Sequence, residues 1–407
     1  MNEKHAAPDV TGLIHHPYVP PAGFAAPQPG VFKASTVYFP TVAAMRQFEW
    51  KDKSAYTYGL HGTPTTYTLE ERLCALEGGK QCLLVPSGLA ALSTVALALL
   101  HSGDEVLMPD NAYGPNKALA EGELRHYGIT HQYYDPMNPD DLSARLNERT
   151  RLVWLEAPGS VSMEFPDLPE LVRRCKAKGV LCALDNTWGA GLAFQAFDLL
   201  RDGSLGVDIS AHALTKYPSG GGDVLMGSVI TRDAALHLKI KLCHMRLGLG
   251  VGANDVEAVL RSLPSVALRY AAHDQSARAL AVWWQTQTPC AQVLHPAMAG
   301  APGHAHWQSL CGQGSGLAAG LFSVMIDARY SQSQVDAFCD GLKLFKIGYS
   351  WGGPVSLVMP YDIRTMRQHS AEHLKPGTLV RFSVGLEASD DLRDDLQRSA
   401  AAHLPMD

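Results

Sequence analysis

The residue whose surroundings most suggest chemistry is Lys216, in the segment SAHALTKYPSGGGD at residues 210–223. We expect an apolar strand to end at this lysine, and the chain to turn at the glycines of residues 220–222. Lysine is rarely buried, and a run of glycines gives up packing. The simplest interpretation is a strand that reaches the surface and turns. A chemical role for Lys216 requires other polar residues at the same place.

Three further features end or interrupt apolar segments. In VPSGLAA, Ser87, Gly88 and Leu89 lead from a predicted strand into a helix, whose free N–H groups suit a phosphate. Asp185 ends the apolar run CALD, where a carboxylate needs a cation or donors. Arg381 lies inside TLVRFSVGL, where a guanidinium needs an anion. The alternatives are an ordinary Ser-Gly helix start, a helix cap at Asp185 and a structural ion pair at Arg381.

Together the four features suggest one ligand. This ligand carries a phosphate, a ring nitrogen that pairs with a carboxylate and a carbonyl that condenses with a lysine. The substrate that it acts on carries a carboxylate. Pyridoxal phosphate (PLP) with an amino-acid substrate meets each demand. The sequence has no GxxxxGK[ST] phosphate loop, and GLGLGVGAND has the wrong spacing and context for a dinucleotide fingerprint.

Composition excludes several other classes of protein. The chain of 407 residues has 46% hydrophobic and 18% charged residues, which is typical of a globular enzyme of two or more domains. Its net charge of −6 favours neither nucleic acid nor an anionic membrane. The longest apolar run, LAALSTVALALL, is too short to span a bilayer, and the N-terminus lacks a signal-peptide core. We therefore expect a cytoplasmic protein.

The cysteines and histidines do not suggest a metal site. The eight cysteines form no CxxC pair, and most have apolar neighbours, so we expect reduced, buried thiols. The close histidine pairs, His15-His16 and His304-x-His306, lack HExxH spacing. We expect no bound metal.

Alternating strand and helix patterns predict an α/β fold. Apolar strands such as QCLLV, DEVLMPD and RLVWLE alternate with helices such as TYTLEERLCALE, as in a mostly parallel sheet with helices on both faces. Ligands of such sheets bind at the carboxyl ends of the strands. We predict an N-terminal arm at residues 1–64, a large domain at 65–262 and a smaller α+β domain at 263–407.

The sequence resembles the Cys/Met-metabolism family of PLP-dependent enzymes, which have fold type I, from about residue 30 to its end. The resemblance is carried by YGLHGTPTTYTLEERLCALEGG, VPSGLAA, NAYGPN, LEAPGSVSME, ALDNTWGAG, ALTKYPSGGGD, YSWGGPVSL and TLVRFSVGLE. It implies a fold type I PLP enzyme with a seven-stranded large-domain sheet. It also implies a dimer or tetramer in which the N-terminal arm completes the neighbouring subunit's site.

The resemblance also implies roles for individual residues. Lys216 would hold PLP covalently as an aldimine and serve as the base, and Tyr113 would stack on its ring and take part in catalysis. Asp185 would pair with the ring nitrogen. The remaining cofactor contacts would come from Ser87, Gly88, Leu89, Thr215 and, from the neighbouring subunit, Tyr58; the substrate contacts would come from Arg381, Tyr349, Ser350 and Trp351.

Two motifs, EAPGSVSMEFPDLP and YSWGG, are similar to those of the bacterial cystathionine β-lyase branch. This similarity implies β-elimination of L-cystathionine to homocysteine, pyruvate and ammonia, with cystine and other cysteine S-conjugates as further substrates. The alternatives are a γ-acting member of the family and a PLP-fold regulatory protein without turnover.

The sequence departs from the family pattern at two phosphate-binding positions. Leu60 stands where relatives have the arginine of a Tyr-x-Arg motif, and His61 is the nearest cation that could replace it. Ala213 stands where many relatives have a serine. Both changes remove groups that could bind the phosphate.

Overall fold

The computed structural model describes residues 10–16, 18, 20–51, 53–368 and 371–405. Its strands are β1 Gln81–Val85, β2 Glu105–Pro109, β3 Thr130–Tyr134, β4 Thr150–Glu156, β5 Leu181–Asp185, β6 Ile209–His212, β7 Gly227–Thr231, β8 Cys290–Leu294, β9 Leu321–Asp327, β10 Lys346–Ile347, β11 Leu357–Tyr361 and β12 Gly377–Ser383. Its α-helices are α1 Val10–Ile14, α2 Val42–Gln47, α3 Pro64–Glu77, α4 Gly88–Leu99, α5 Gly114–Leu119, α6 Pro139–Arg145, α7 Leu168–Ala177, α8 Ala234–Leu247, α9 Ala253–Ser262, α10 Val266–Gln285, α11 His304–Trp307, α12 Gln332–Asp340 and α13 Ser389–His403. None of these helices is long and apolar enough to cross a membrane.

The first seven strands form one sheet in the order β1-β7-β6-β5-β4-β2-β3. β7 is antiparallel to both of its neighbours, and the other strand pairs are parallel. This sheet confirms the predicted fold class. Because the parallel strands share one direction, their carboxyl ends lie along one edge, and each is followed by a loop that can carry polar residues.

Both faces of this sheet are buried, which explains its continuous apolar strands. In β1, Cys82 and Leu84 point to one side and Leu83 and Val85 to the other, as the period of two requires. One side packs against Leu73 of α3 and Leu171 of α7, and the opposite side packs against Val95 of α4 and Ile240 of α8. Helices therefore cover both faces and leave the strand ends accessible.

Local sequence signals set the ends of the two helices that matter most for the site. Thr63 caps α3 by a reciprocal pair of bonds with Thr66, and Gly78 ends the helix in a left-handed conformation with φ of 73°. Ser87 caps α4 by accepting the N–H of Ala90 at 3.0 Å. The N-terminus of α4 is thereby fixed directly after β1.

A second sheet, in the order β10-β11-β12-β9-β8, occupies the C-terminal part of the chain. Its core is aromatic: Phe382 contacts Phe322 at 5.0 Å and Trp284 of α10 at 5.8 Å between ring centroids. β12 is its central strand and carries Arg381. The domain boundaries at residues 64 and 262 remain a prediction.

The prediction that Lys216 ends a strand is wrong. β6 ends at His212, because the next N–H, that of Ala213, donates to Thr187 Oγ1 at 2.9 Å and the chain leaves the sheet. The N–H of Lys216 then donates to the carbonyl of Ala213 at 3.1 Å in a turn. The predicted glycine turn is present: Gly220 and Gly222 have φ of 71° and 74°, which a glycine adopts without strain.

The predicted N-terminal arm lies partly on its own chain. Leu13 of α1 is buried in the core beside α3. Further along, large apolar side chains are exposed, among them Phe24, Tyr38, which is 92% exposed, and Phe48. The contribution of this arm to a neighbouring subunit remains a prediction, and its first nine residues, 1–9, lie outside the described residues.

The cysteines are free thiols: Cys82, Cys175, Cys182, Cys311 and Cys339 are buried, and Cys74, Cys243 and Cys290 are partly buried.

Candidate active site

A cavity of about 430 Å³ lies at the carboxyl ends of the parallel strands. Its walls come from the loops after β1, β2, β4, β5 and β6, together with β11, β12 and the loop before β11. Of the predicted site residues it brings together Ser87, Gly88, Leu89, Tyr113, Asp185, Thr215, Lys216, Tyr349, Trp351 and Arg381. Ser350 joins them through a hydrogen bond to Lys216.

Lys216 contributes an amine to the wall of the cavity. Its Nζ donates to Ser350 Oγ at 2.8 Å and lies 5.3 Å from the centroid of the Trp351 ring. Burial lowers the pKa of Lys216 to about 8, assisted by the Arg381 cation and opposed by the Asp185 carboxylate. Its amine can therefore lose a proton close to neutral pH, which an exposed lysine cannot do.

Asp185 is held by the residue that follows it by two positions. The N–H and Oγ1 of Thr187 donate to Asp185 Oδ1 at 3.1 and 2.5 Å. Burial raises the pKa of Asp185, while the bonds from Thr187 and the charges of His212 and Lys216 oppose that shift. A cationic ligand atom beside Asp185 would complete its charge balance.

The N-terminus of α4 opens onto the same cavity at Gly88. A Cβ added at Gly88 would lie 2.5 Å from Ala213 Cβ and 3.1 Å from Ala213 Cα, so only glycine fits. Thr215 is nearby, but its hydroxyl donates to Met226 O at 3.2 Å and accepts the N–H of Met226 at 3.1 Å. The Thr215 hydroxyl therefore already has hydrogen-bond partners. The room left by the missing Cβ of Gly88 is the clearer sign of a ligand at the N-terminus of α4.

Arg381 enters the cavity from the second sheet. Its guanidinium lies 5.4 Å from the centroid of the Tyr361 ring, and it makes no ion pair with a carboxylate of the described residues. Burial lowers its pKa, and it is 8% exposed. The alternative interpretation, a structural ion pair, is therefore not seen among the described residues, and the guanidinium is available to bind an anion from solution.

Tyr58 lies away from the cavity that the described residues of its own chain form. It pairs with Thr36 in an isolated bridge, and its ring contacts that of His61. His61 Nδ1 bonds to Thr57 Oγ1 at 2.7 Å, and its ring stacks on Trp50 at 4.7 Å. Burial and the Lys241 charge lower the pKa of His61, which disfavours its predicted use as a replacement cation.

Sequence reasoning missed four residues that line the cavity. Glu156 ends β4 just as Asp185 ends β5, so the same signal, a carboxylate after an apolar strand, could have found it. Thr187 follows Asp185 by two positions, where its N–H and its hydroxyl can both donate to the carboxylate. This spacing was a usable signal in the sequence. Tyr361 and His212 gave no sequence signal, because their proximity to the cavity depends on the packing of the strands.

Comparison with known proteins places this arrangement in a family. The family model described as Cys/Met metabolism PLP-dependent enzyme matches residues 10–401. A cystathionine β-lyase of Bordetella avium is 34% identical over 97% of this chain and 98% of that protein. A cystathionine β-lyase of Escherichia coli is 32% identical over 91% and 92% of the two chains.

Other relatives have different names. An L-alanine/L-glutamate racemase of Wolbachia pipientis is 33% identical over 93% of both chains. The fold matches the crystal structure of a cystathionine γ-lyase from Lactobacillus plantarum, determined with L-serine, at a TM-score of 0.85 and 24% identity, covering 97% of this chain and 99% of that one. The similarity therefore extends to proteins with several activities.

Proposed function

Because the chain belongs to the Cys/Met metabolism family of PLP-dependent enzymes, we propose that it uses PLP to eliminate the β-substituent of L-cystathionine. With the uptake of one water molecule, which supplies the keto oxygen, the products are homocysteine, pyruvate and ammonia. Cystine and other cysteine S-conjugates are further substrates of the same site. The observation that carries the proposal is the convergence on one cavity of Lys216, Asp185 and Arg381, whose guanidinium pairs with no carboxylate of the described residues.

Three features of the cavity support binding of the cofactor. Gly88 leaves room that a Cβ would fill, at a helix N-terminus that attracts a phosphate. Among the described residues, Asp185 forms no salt bridge, and a protonated ring nitrogen would give its carboxylate a directly paired cation. Lys216 has an amine with a pKa of about 8, which suits condensation with a carbonyl. PLP, when bound, supplies an electron sink that stabilises negative charge at the substrate Cα.

The remaining chemistry belongs to side chains of this chain. Lys216 Nζ takes the proton from the substrate Cα and delivers a proton to the departing sulfur. A single group can serve both steps because its pKa lies close to the working pH. Ser350, which bonds to Nζ at 2.8 Å, orients the amine between these positions.

Substrate binding is assigned to Arg381 and its neighbours. The guanidinium binds the substrate α-carboxylate in the planar two-bond geometry that arginine favours. Trp351, Tyr349 and Tyr113 line the same cavity, and Tyr113 would stack on the cofactor ring when PLP is bound.

We further propose that the enzyme works in the cytoplasm as a dimer or tetramer, to which each subunit lends Tyr58 for its neighbour's phosphate site. The exposed apolar side chains of residues 24–48 support burial of the arm against another subunit. Light scattering of the purified protein gives the mass of the assembly, and a monomeric mass contradicts the shared site.

The experiment that tests the reaction is incubation of the purified holoenzyme with L-cystathionine, followed by mass spectrometry of the keto acid. Pyruvate with homocysteine supports the proposal. 2-Oxobutyrate with cysteine keeps the cofactor and the site but assigns the enzyme to the γ-acting alternative. Absence of any keto acid from cofactor-loaded protein favours the regulatory alternative.

A second candidate is amino-acid racemization, because a relative of 33% identity is named an L-alanine/L-glutamate racemase. Both reactions begin with removal of the α-proton, so the same Lys216 serves either. Incubation with L-alanine and chiral chromatography separates the two. Appearance of D-alanine at a rate comparable to that of pyruvate from cystathionine would favour the racemase.

A further inference from the structure

Two carboxyl groups stand side by side in the cavity, and the proposed function uses only one. Glu156 and Asp185 are the last residues of the adjacent parallel strands β4 and β5, and they are direct partners in the register. Neighbouring strands are about 4.8 Å apart, and paired residues project from the same face of the sheet. Two carboxylates this close in a poorly solvated cavity do not both ionise. One of the two therefore holds a proton.

The surrounding donors decide which carboxyl group is charged. Asp185 receives two bonds from Thr187, one of them from a hydroxyl at 2.5 Å, and lies near the Lys216 cation. Glu156 receives the backbone N–H of Tyr113 at 2.8 Å. Backbone N–H groups alone stabilise a carboxylate less than a nearby cation together with hydrogen bonds does. The negative charge therefore belongs to Asp185.

The titration behaviour of the two groups agrees with this assignment. Burial, followed by the charge of Asp185, raises the pKa of Glu156 well above its ordinary value, and backbone bonds from Tyr113 and Ser160 oppose the shift. For Asp185 the opposing contributions include the charges of Lys216 and His212 as well as hydrogen bonds.

Glu156 also connects two loops of the cavity. Its Oε2 accepts the backbone N–H of Tyr113, the residue just before α5, and its carboxyl group also receives the N–H of Ser160 in the loop after β4. The N–H of Ser160 also donates to Asn111 O, two residues before Tyr113. A carboxyl group at this point holds the backbone of Tyr113 in place.

We propose that Glu156 is a positioning residue that keeps its proton in the working enzyme: it anchors the backbone of Tyr113 and leaves Asp185 to carry the negative charge beside the cofactor ring. This inference goes beyond the reaction proposed above. It rests on the roles assigned to Asp185 and Tyr113, and not on the identity of the substrate. A neutral acid here avoids a second anion that would compete with Asp185.

The test compares Glu156→Gln with Glu156→Ala in the holoenzyme and uses no substrate. Gln keeps the size, the neutral charge and an acceptor for the N–H of Tyr113, so its PLP affinity and the visible spectrum of the bound cofactor should match the wild type. Ala removes the acceptor of the Tyr113 N–H and should weaken PLP binding about 2- to 13-fold, the usual net effect of losing one hydrogen bond that solvent can reach. Asp185→Asn serves as the reference for loss of the anion.

Infrared difference spectroscopy supplies a readout that a merely structural role would not change. Wild type minus Glu156→Gln should show the carbonyl stretch of a protonated carboxylic acid at neutral pH. A carboxylate band in its place, or a Glu156→Gln protein that loses PLP as Asp185→Asn does, would overturn the proposal. Thermal unfolding of each apoprotein identifies a variant that fails to fold; the infrared comparison needs only the Gln variant, which keeps the hydrogen bond. A failure to cleave cystathionine would leave these readouts unchanged and would count only against the proposed reaction.

Discussion

Replacement of Gly88 by alanine tests whether the N-terminus of α4 forms the phosphate cradle. The added Cβ would lie 2.5 Å from Ala213 Cβ. Carbon atoms in contact are normally about 3.5–4.0 Å apart, so the start of α4 and the Ala213 backbone must separate by about 1 Å. That shift moves the helix N–H groups away from the position of the phosphate.

The expected size of the effect follows from the packing. Inserting a methyl group into a well-packed site costs about 1–3 kcal/mol. If this cost falls on the cofactor-bound state, PLP should bind about 5- to 150-fold more weakly, since about 1.4 kcal/mol corresponds to a factor of ten. Titration of the apoprotein with PLP, followed by the absorbance of the bound cofactor, measures the dissociation constant.

The chain offers a matched rescue variant. Combining Gly88→Ala with Ala213→Gly removes the nearer methyl group and leaves the closest carbon, Ala213 Cα, at 3.1 Å. We expect partial recovery of affinity in the double variant, and Ala213→Gly alone serves as the control. An unchanged PLP dissociation constant for Gly88→Ala, in a protein whose thermal unfolding is also unchanged, would refute a phosphate site at the N-terminus of α4.

Three further predictions concern charge. In the apoprotein, the rate at which the Lys216 amine reacts with PLP should depend on pH with an apparent pKa of about 8, well below the ordinary 10.5. This apparent pKa should fall in Asp185→Asn and rise in Arg381→Met. The same value in wild type and both variants would contradict these charge interactions. Arg381→Lys should lower kcat/KM by about 10- to 150-fold, because the loss of one charge-assisted hydrogen bond costs about 1.5–3 kcal/mol, while PLP affinity stays unchanged. Glu164 is buried and pairs with Arg367 at 2.7 Å. Glu164→Gln should lower the free energy of unfolding, measured in urea, by about 3–5 kcal/mol, because the buried Arg367 cation loses its partner.

The pH dependence of the Glu164 pair has a definite sign. Burial alone would raise the pKa of Glu164, but the hydrogen bond from His373 and the Arg367 cation hold it below its usual value. The stabilisation is therefore present above the ordinary glutamate pKa, about 4.3, and is lost as the pH falls below it. Urea unfolding from pH 7 to pH 3 should show the difference between wild type and Glu164→Gln shrinking in acid, and a constant difference would contradict the assignment.

Residues that belong to regular elements were the easiest to predict from the sequence. Asp185 ends a strand and Arg381 lies inside one, as expected, because a continuous apolar run fixes the strand and the polar exception stands out. Ser87 begins a helix for an equally local reason. The alternation of strands and helices also predicted a mostly parallel sheet covered on both faces, and the family resemblance implied its seven strands.

Residues placed by tertiary contacts could not be predicted in the same way. The strand expected to reach Lys216 stops four residues earlier, because Thr187, from a different loop, takes the next backbone N–H. Tyr361 comes beside Arg381 only because β11 and β12 pair in the second sheet. Glu156 carried a usable signal, and its partnership with Asp185 became apparent from the register of β4 and β5.

The most direct test of the central claim is to find the lysine that holds the cofactor. Borohydride reduction of the holoenzyme fixes PLP to its lysine, and mass spectrometry of the digested protein locates the label. We expect a pyridoxyl group on Lys216, and none in the Lys216→Ala protein reduced in the same way. A label on another lysine, or equal labelling of the variant, would contradict it.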